Sequence, residues 1–535
     1  MERRDVLKSL SILPFAGSFL PLESLVGEVK GPLTAGPNIY QSIGVEPVIN
    51  CVGTYTIIGG SLERPEVVAA MHSAAGFFVQ YDELAFGVGK RLAELTGAEY
   101  GMVSAGCAAG IKHVTAACVT GGNPEKLIRI PDLSGFDKTE VVIPRSSRNA
   151  YDHGIRNIGV RIITVDTIEE LSNALNDSTA MVYLMASDET DPGKPFSLED
   201  VAAIAGKKNI PVLIDAAAED LTIPNVHLSR GAAVVAYSGG KALCGPQCAG
   251  LLLGRKDILM SAWQASSPHH GPGRDNKVGK EEMLGMLAAV ESWVTRDHVE
   301  KMKTWHTYLD NIAKKVSSVN GVKCTVEEPK GLSNHSPSLI ISWNPASLKI
   351  NGTDVKEILA TGQPRIAVHS DYIDDSGNTA VIISSGQMQP GNDKLVAERL
   401  VEILSNPPSG PKEMSPPSAN LTGRWDVDIE FYSSKSRHTF FIEQDGNWIK
   451  GSHKGEFSMR DLAGILDGGQ VRLSSSDKHV ADYIPFIFFG SADKEKMTGE
   501  IFMGEYIRAK FTATRHEQKQ SHEPIRIPKG QPLAT

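Results

Sequence analysis

The sequence predicts an α/β protein with a large, mostly parallel sheet and a smaller second α/β domain, followed by a separate all-β barrel or sandwich. Three observations carry this reading. From about residue 40 to 290, short apolar runs alternate with helix-like segments, the pattern of a parallel sheet covered by crossover helices. The stretch "SNPPSGPKEMSPPSANLTG" (405–423) is rich in Pro and Ser and poor in large apolar residues, as a linker is. Beyond it the hydrophobic period changes to two, which half-buried antiparallel strands require.

The elements follow in chain order. Residues 1–30 open "MERRDVLKSLSILPFAGSFLPL", with paired Arg3 and Arg4 ahead of Val6-Leu7-Lys8 and a moderately apolar run. This reads as a twin-arginine-type signal directing the folded protein to the periplasm. A cytoplasmic location is the alternative, because Pro14 and Pro21 interrupt the run and no A-x-A cleavage site follows. The run is too short and too broken for an ordinary transmembrane helix.

Residues 31–290 form the large domain with its N-terminal arm. "EVVIP" (140–144), "VRIITVD" (160–166), "AMVYLMA" (180–186), "IPVLIDAA" (210–217) and "AAVVAYS" (232–238) read as buried strands. "SLEDVAAIAGKKN" (197–209) reads as a helix opened by Ser197, with Asp200 three residues on. Residues 281–319 read as long helical structure leading into the small domain, 291–405. The linker is placed at 406–420, the β domain at 421–515 and a disordered polar tail at 516–535. In the β domain "RWDVDIEFY" puts Trp425, Val427, Ile429 and Phe431 on one face, and "FFIEQDGNWIKG" carries an Asp445-Gly446 hairpin signal. "YIRAKFTATR" alternates again up to Arg515.

Composition narrows the function classes. A net charge of -9 over 535 residues leaves no basic footprint for nucleic acid. The six cysteines (51, 107, 118, 244, 248 and 324) are too few and too scattered for a disulfide framework, and none forms a CxxC zinc pattern, so no metal is expected.

Chemistry enters at "VVAYSGGKALCGPQCAGLLLG" (234–254), where Lys241 stands alone among small residues between two apolar runs. Lysine is strongly hydrated and rarely sits in such surroundings without a partner. In an open parallel sheet, ligands bind beyond the carboxyl ends of the strands, and two polar residues fall there: Asp215 in "VLIDAAAED" and Lys241. A lysine amine forms a Schiff base with pyridoxal 5'-phosphate, and an aspartate pairs with that cofactor's protonated pyridine nitrogen. Gly239 and Gly240 let the backbone approach closely, and Ser238 can donate to the phosphate. A phosphate also calls for backbone N–H groups at a helix start. "MVSAGCAAGIKHVTAACV" (102–119) supplies one, with Ser104-Ala105-Gly106-Cys107 forming a small-residue turn ahead of an Ala-rich helix. Each element has a plainer reading: a surface lysine, an aspartate capping the next helix, a structural helix start. The three together point to the cofactor.

At these residues the chain resembles the fold-type-I pyridoxal-phosphate superfamily. Within it the resemblance is to the group holding bacterial selenocysteine synthase and D-glucosaminate-6-phosphate ammonia lyase. The carrying segments are 49–71, 83–111, "RSSRNAYDHGIR" (145–156), "IDAAAED" (214–220), "YSGGKALCGPQCAGLLLGRKD" (237–257) and "GQPRIAV" (362–368), within residues 40 to 405. The resemblance implies Lys241 as Schiff-base lysine and proton shuttle, Asp215 as pyridine partner, and Ser104, Ala105, Gly106 and Cys107 as phosphate cup, assisted by Ser238. It also implies Gln247 reaching a phosphate across a homodimer interface, and Arg365 and Thr54 at the substrate. Similar lyases carry a histidine where Ser147 stands here, so His153 or Tyr151 becomes the candidate to face the cofactor ring. The C-terminal domain resembles lipocalin-type barrels, which pair a Gly-x-Trp start with a late arginine, here Trp425 and Arg515, over a span of about ninety residues. Its partner is open: a sugar-like ligand, an oligomer contact, or neither.

The resulting expectation is a pyridoxal-phosphate lyase that removes ammonia from an amino acid or amino-sugar acid by α,β-elimination. An aminotransferase or a racemase/epimerase is the alternative on the same site. The alternative from another class is an exported ligand-binding protein that has lost its cofactor.

Overall fold

A computed structural model describes residues 32–372, 377–408 and 414–517. The signal reading at 1–30 and most of the tail reading at 516–535 lie outside the described residues. The chain divides into two compact units, one ending at Pro411 and the other beginning at Lys412.

The first unit is built on a seven-stranded sheet. Its strands are β1 (Tyr100–Ser104), β2 (Glu140–Pro144), β3 (Arg161–Val165), β4 (Thr179–Met185), β5 (Val212–Asp215), β6 (Val234–Ser238) and β7 (Gly250–Gly254). They lie in the order β1-β7-β6-β5-β4-β2-β3. Only β7 runs antiparallel to its neighbours. β1, β2 and β7 are buried at every position, the continuous apolar pattern of strands covered on both faces. The helix Leu198–Gly206 starts as expected, with the Ser197 side chain accepting the Asp200 N–H.

Residues 281–319 do not form one helix. Two helices, Lys280–Thr295 and His298–Val316, meet at a break over Arg296 and Asp297. The apolar period runs through the break and so hides it. The second helix caps itself afresh, with the Asp297 side chain accepting the Glu300 N–H at 2.9 Å.

A second core gathers around a four-stranded antiparallel sheet in the order His369–Tyr372, Thr379–Ser384, Ser338–Trp343, Lys323–Glu327. The N-terminal arm ties the two cores together. Its strand Val48–Asn50 pairs in parallel with Arg365–Ala367, and Cys51 is buried in the second core. The arm then continues to Gly60 and Ser61, beside the lysine turn.

The second unit is a closed barrel of eight antiparallel strands, from Gly423–Glu430 to Tyr506–Arg515, each bonded to the next and the last to the first. Closure within so short a span depends on tight hairpins. Asp445 pairs with Trp448, leaving a loop of Gly446 and Asn447, and Asp467 pairs with Gln470 around Gly468 and Gly469. The hairpin signal therefore sits one residue later than Asp445-Gly446. Trp425, Val427 and Ile429 face inward as expected, whereas Phe431 lies past the strand end and is exposed. Arg515 closes the barrel floor: its guanidinium lies 4.6 Å from the Trp425 ring centroid and donates to the Asn420 and Thr422 carbonyls at 2.7 and 2.9 Å.

The barrel interior is partly polar. His438 Nδ1 and His453 Nε2 are 2.7 Å apart, and His453 Nδ1 is 3.0 Å from Ser475 Oγ. Arg460 pairs with Asp477 at 2.7 Å, and Glu456 accepts from Ser436. Burial, and then the Arg460 charge, pushes His438 down to about 4; burial, and then His438 and Arg460, pushes His453 down to about 3. These histidines stay neutral in the fold, while in the unfolded chain they take up protons near the ordinary pKa of about 6.5. The unfolded state thus binds more protons below that pH, and stability falls as pH drops through the window. The melting temperature of the barrel transition should fall by about 10 °C or more between pH 7 and pH 4. Scanning calorimetry of the full chain checks this, and a transition insensitive to pH would contradict it.

Candidate active site

β5 ends on Asp215 in the interior of the sheet, in register with Met185 of β4 and Ala236 of β6. Its carboxylate is buried and receives three donors. Tyr183 Oη donates to Oδ2 at 2.9 Å, the Ala217 N–H to Oδ1 at 3.1 Å, and Cys107 Sγ to Oδ1 at 3.6 Å. Burial raises its pKa, while the hydrogen bonds and the Lys241 charge oppose the rise. Cys107 and Tyr183 are pushed up in turn, by burial first and then by the Asp215 charge. Asn149 extends the set, its Nδ2 lying 3.0 Å from Tyr183 Oη.

Tyr183 and Asn149 were not singled out from the sequence. A signal for Tyr183 exists, since a tyrosine inside an otherwise apolar buried strand must place its hydroxyl against a partner. Asn149 carries no such mark.

β6 ends on Ser238, and the chain turns through Gly239–Cys244. The turn is tied on every side. The Gly239 N–H donates to Ala249 O at 2.8 Å, Gly245 N–H to Gly239 O at 2.8 Å, Cys244 N–H to Lys241 O at 3.0 Å, and Ser61 N–H to Gly240 O at 2.9 Å. A Cβ on Gly240 would stand 2.6 Å from Gln247 Cα, so only glycine fits. Arg296, set in the break between the two helices, donates to Ala242 O at 3.5 Å and Leu243 O at 3.2 Å. Lys241 is half-buried and lines a cavity of about 600 Å³ with Thr54, Ser238, Gly240 and Gln247. Gln247 is exposed and its Nε2 reaches the Thr56 carbonyl at 3.4 Å.

The cup lies between β1 and the helix Cys107–Thr120. Gly106 is its N-cap, with φ 87°, and it offers no side-chain cap to the first N–H groups of the helix. β7 packs directly beneath: a Cβ on Gly250 would meet Gly106 C at 2.5 Å. Ala105 is half-buried in the turn. The Ser104 hydroxyl donates to Gly106 O at 2.9 Å, so its side chain holds the turn and the cup is made by backbone. His153 is exposed at the start of the short helix His153–Arg156, and the next residue, Gly154, packs against the Ala108 carbonyl beside the cup. Ser147 is buried and its hydroxyl accepts the Met185 N–H at 3.1 Å. Arg365 is half-buried on the strand paired with the N-terminal arm and lines neither the cavity at Lys241 nor the one beside it.

These residues fit pyridoxal phosphate. A buried carboxylate is stable only beside a cation or several donors, and a protonated pyridine nitrogen would complete the set around Asp215. The glycine-lined helix start suits a phosphate, and the Lys241 charge bears on both Asp215 and Cys107. Because Arg296 holds two carbonyls of the lysine turn, Arg296→Met should weaken binding of pyridoxal phosphate about tenfold or more while the fold persists. Absorbance titration checks this, and wild-type affinity in the variant would show that the turn holds itself.

Comparison with known proteins agrees with this geometry. Residues 154–275 match the aminotransferase class-V family. The chain is 31% identical over 343 residues to D-glucosaminate-6-phosphate ammonia lyase of Salmonella typhimurium (strain 14028s / SGSC 2262), covering 62% of this chain and 89% of that protein. It is 28% identical over 387 residues to 5'-C-glycyluridine monooxygenase-decarboxylase of a Streptomyces species, covering 70% of this chain and 94% of that protein. A solved structure of D-glucosaminate-6-phosphate ammonia-lyase superposes with a TM-score of 0.62 at 30% identity, covering 69% of this chain and 99% of that chain.

Proposed function

Because the chain belongs to the pyridoxal-phosphate-dependent family of D-glucosaminate-6-phosphate ammonia lyase, we propose that it is a lyase releasing ammonia from an amino-sugar acid or a related 2-amino-3-hydroxy acid. The observation that carries this reading is the buried Asp215 carboxylate, with its three donors, within reach of the Lys241 charge.

Pyridoxal phosphate, when bound, supplies a cationic ring that accepts the electron pair released at the substrate α-carbon. Asp215 would hold the proton on the ring nitrogen, with Tyr183, Cys107 and the Ala217 N–H keeping that carboxylate in place. The backbone N–H groups following Gly106 would hold the phosphate, with Ser238 and Gln247 at the same cavity as Lys241. Lys241 would anchor the cofactor, and its amine would take the substrate's α-proton. Protonated in that step, Lys241 gives the proton to the departing β-hydroxyl, which leaves as water. The released enamine tautomerises and hydrolyses to a 2-oxo acid and ammonia, consuming one water. We place His153 beside the cofactor.

The protein is further proposed to act as a homodimer or larger homo-oligomer, exported through its Arg3-Arg4 signal. In support of assembly, Ile57, Leu62, Phe77 and Phe78 are exposed around the helix Pro65–Ala75, whose Met71 lines the lysine cavity. A second copy would cover an apolar surface of this kind.

The test is an absorbance spectrum of the purified chain with pyridoxal phosphate, followed by ammonia assay over amino acids and amino-sugar acids. The wild type should develop a visible band and release ammonia from one substrate class. Lys241→Ala should lose both. Asp215→Asn should keep the bound cofactor and lose at least about 100-fold in turnover. A spectral change with substrate but no ammonia would move the reading to transamination or racemisation, and no visible band in folded protein would end it.

A further inference from the structure

A second cavity, of about 300 Å³, lies between the two cores of the first unit. It adjoins the site: Thr54 lines both cavities, and Ala242, the residue after the lysine, lines this one. Both cores build its walls, and backbone hydrogen bonds join them, Asp220 N–H to Leu332 O at 3.0 Å and Asn334 N–H to Ala218 O at 2.9 Å.

The lining is crowded with uncharged hydrogen-bonding groups, including Thr54, Asn334, Ser336, Ser384 and Gln387. Ser336 and Ser384 hold their hydroxyls 3.2 Å apart, and His369 is fixed by the Val52 carbonyl at 3.2 Å. The wall also carries Lys301 and Asp220, of opposite charge, and the imidazoles of His335 and His369. Lys301 rests over the Trp305 ring, 4.5 Å from its centroid.

Resting on the lyase reading above, we propose that this cavity is the subsite for the substrate's tail and that it takes an uncharged polyhydroxylated chain in preference to a phosphorylated one. The volume corresponds to about ten waters, enough for a short polyol. Its hydroxyl and amide groups suit a run of hydroxyl groups, which both donate and accept. A phosphate dianion would meet the Asp220 carboxylate on the same wall as Lys301. The surroundings also disfavour charge: burial lowers the pKa of Lys301 and raises that of Asp220. A buried site that hydrogen-bonds hydroxyls discriminates strongly against ligands lacking them.

The test is calorimetric binding to the full chain loaded with pyridoxal phosphate. D-gluconate is the probe, because it carries the carboxylate and the hydroxylated tail but no amino group to engage the lysine. D-lactate and 6-phospho-D-gluconate are the comparisons. Gluconate should bind at least about tenfold more tightly than either. Ser384→Val and Asn334→Ala should each remove most of that preference while leaving the cofactor's absorbance unchanged. Phosphogluconate binding as tightly as gluconate, or variants that leave the preference intact, would overturn the subsite. Absorbance separates the two failures: a missing cofactor band defeats the lyase reading, whereas an intact band with no preference for gluconate defeats only the subsite.

Discussion

One buried charge organises the catalytic unit. A carboxylate taken out of water at the end of a central strand is costly, and the cost is met only by donors brought from elsewhere in the chain. Tyr183 comes from the adjacent parallel strand, Cys107 from the helix that follows β1, and the Ala217 N–H from the chain immediately beyond Asp215. Each arrives because the sheet order places its strand or helix start on the same carboxyl edge. The raised pKa of Asp215 shows that these donors do not fully offset the burial. The remainder is what a cationic ring can satisfy.

The lysine turn is the other half of that edge, and it is held from three directions. The N-terminal arm reaches it through Ser61, the segment just before β7 through Ala249, and the helix break through Arg296. A flexible four-carbon side chain can deliver its amine reproducibly only if its backbone cannot move. The break at Arg296 and Asp297 interrupts a good helix, yet it is what brings a guanidinium to the Ala242 and Leu243 carbonyls. The same arm forms a strand with the small domain and lines both cavities, so one segment links the lysine to the interdomain cleft.

The barrel follows a different logic. It satisfies its backbone by closing on itself rather than by helical cover, and its tight hairpins let fewer than a hundred residues close eight strands. The Trp425–Arg515 contact joins the first strand to the last, and the pair of neutral histidines fills an interior where an apolar residue would ordinarily stand.

The strands β2 to β6, the helix after Ser197, the change of period beyond the linker and the placing of Asp215 and Lys241 at strand ends were all legible in the sequence. These features are local: they follow from periodicity, from side-chain oxygens at helix starts, and from a charged residue in a setting that tolerates few. The Trp425 and Arg515 pairing was legible only as a resemblance, because the two residues lie at opposite ends of their domain. Tyr183, Asn149 and Arg296 were not legible, nor was the inward turn of the Ser104 hydroxyl. Their roles depend on which distant segments meet, and spacing along the chain does not encode such distances. The cavity shared by Thr54 and Ala242 belongs to the same class, since it exists only where two separate cores close on one arm. The sequence by itself determined which residues could bear the chemistry. The tertiary structure decided which of them face one another, because the free energy of burying a charge is settled by neighbours in space and not by neighbours in the chain.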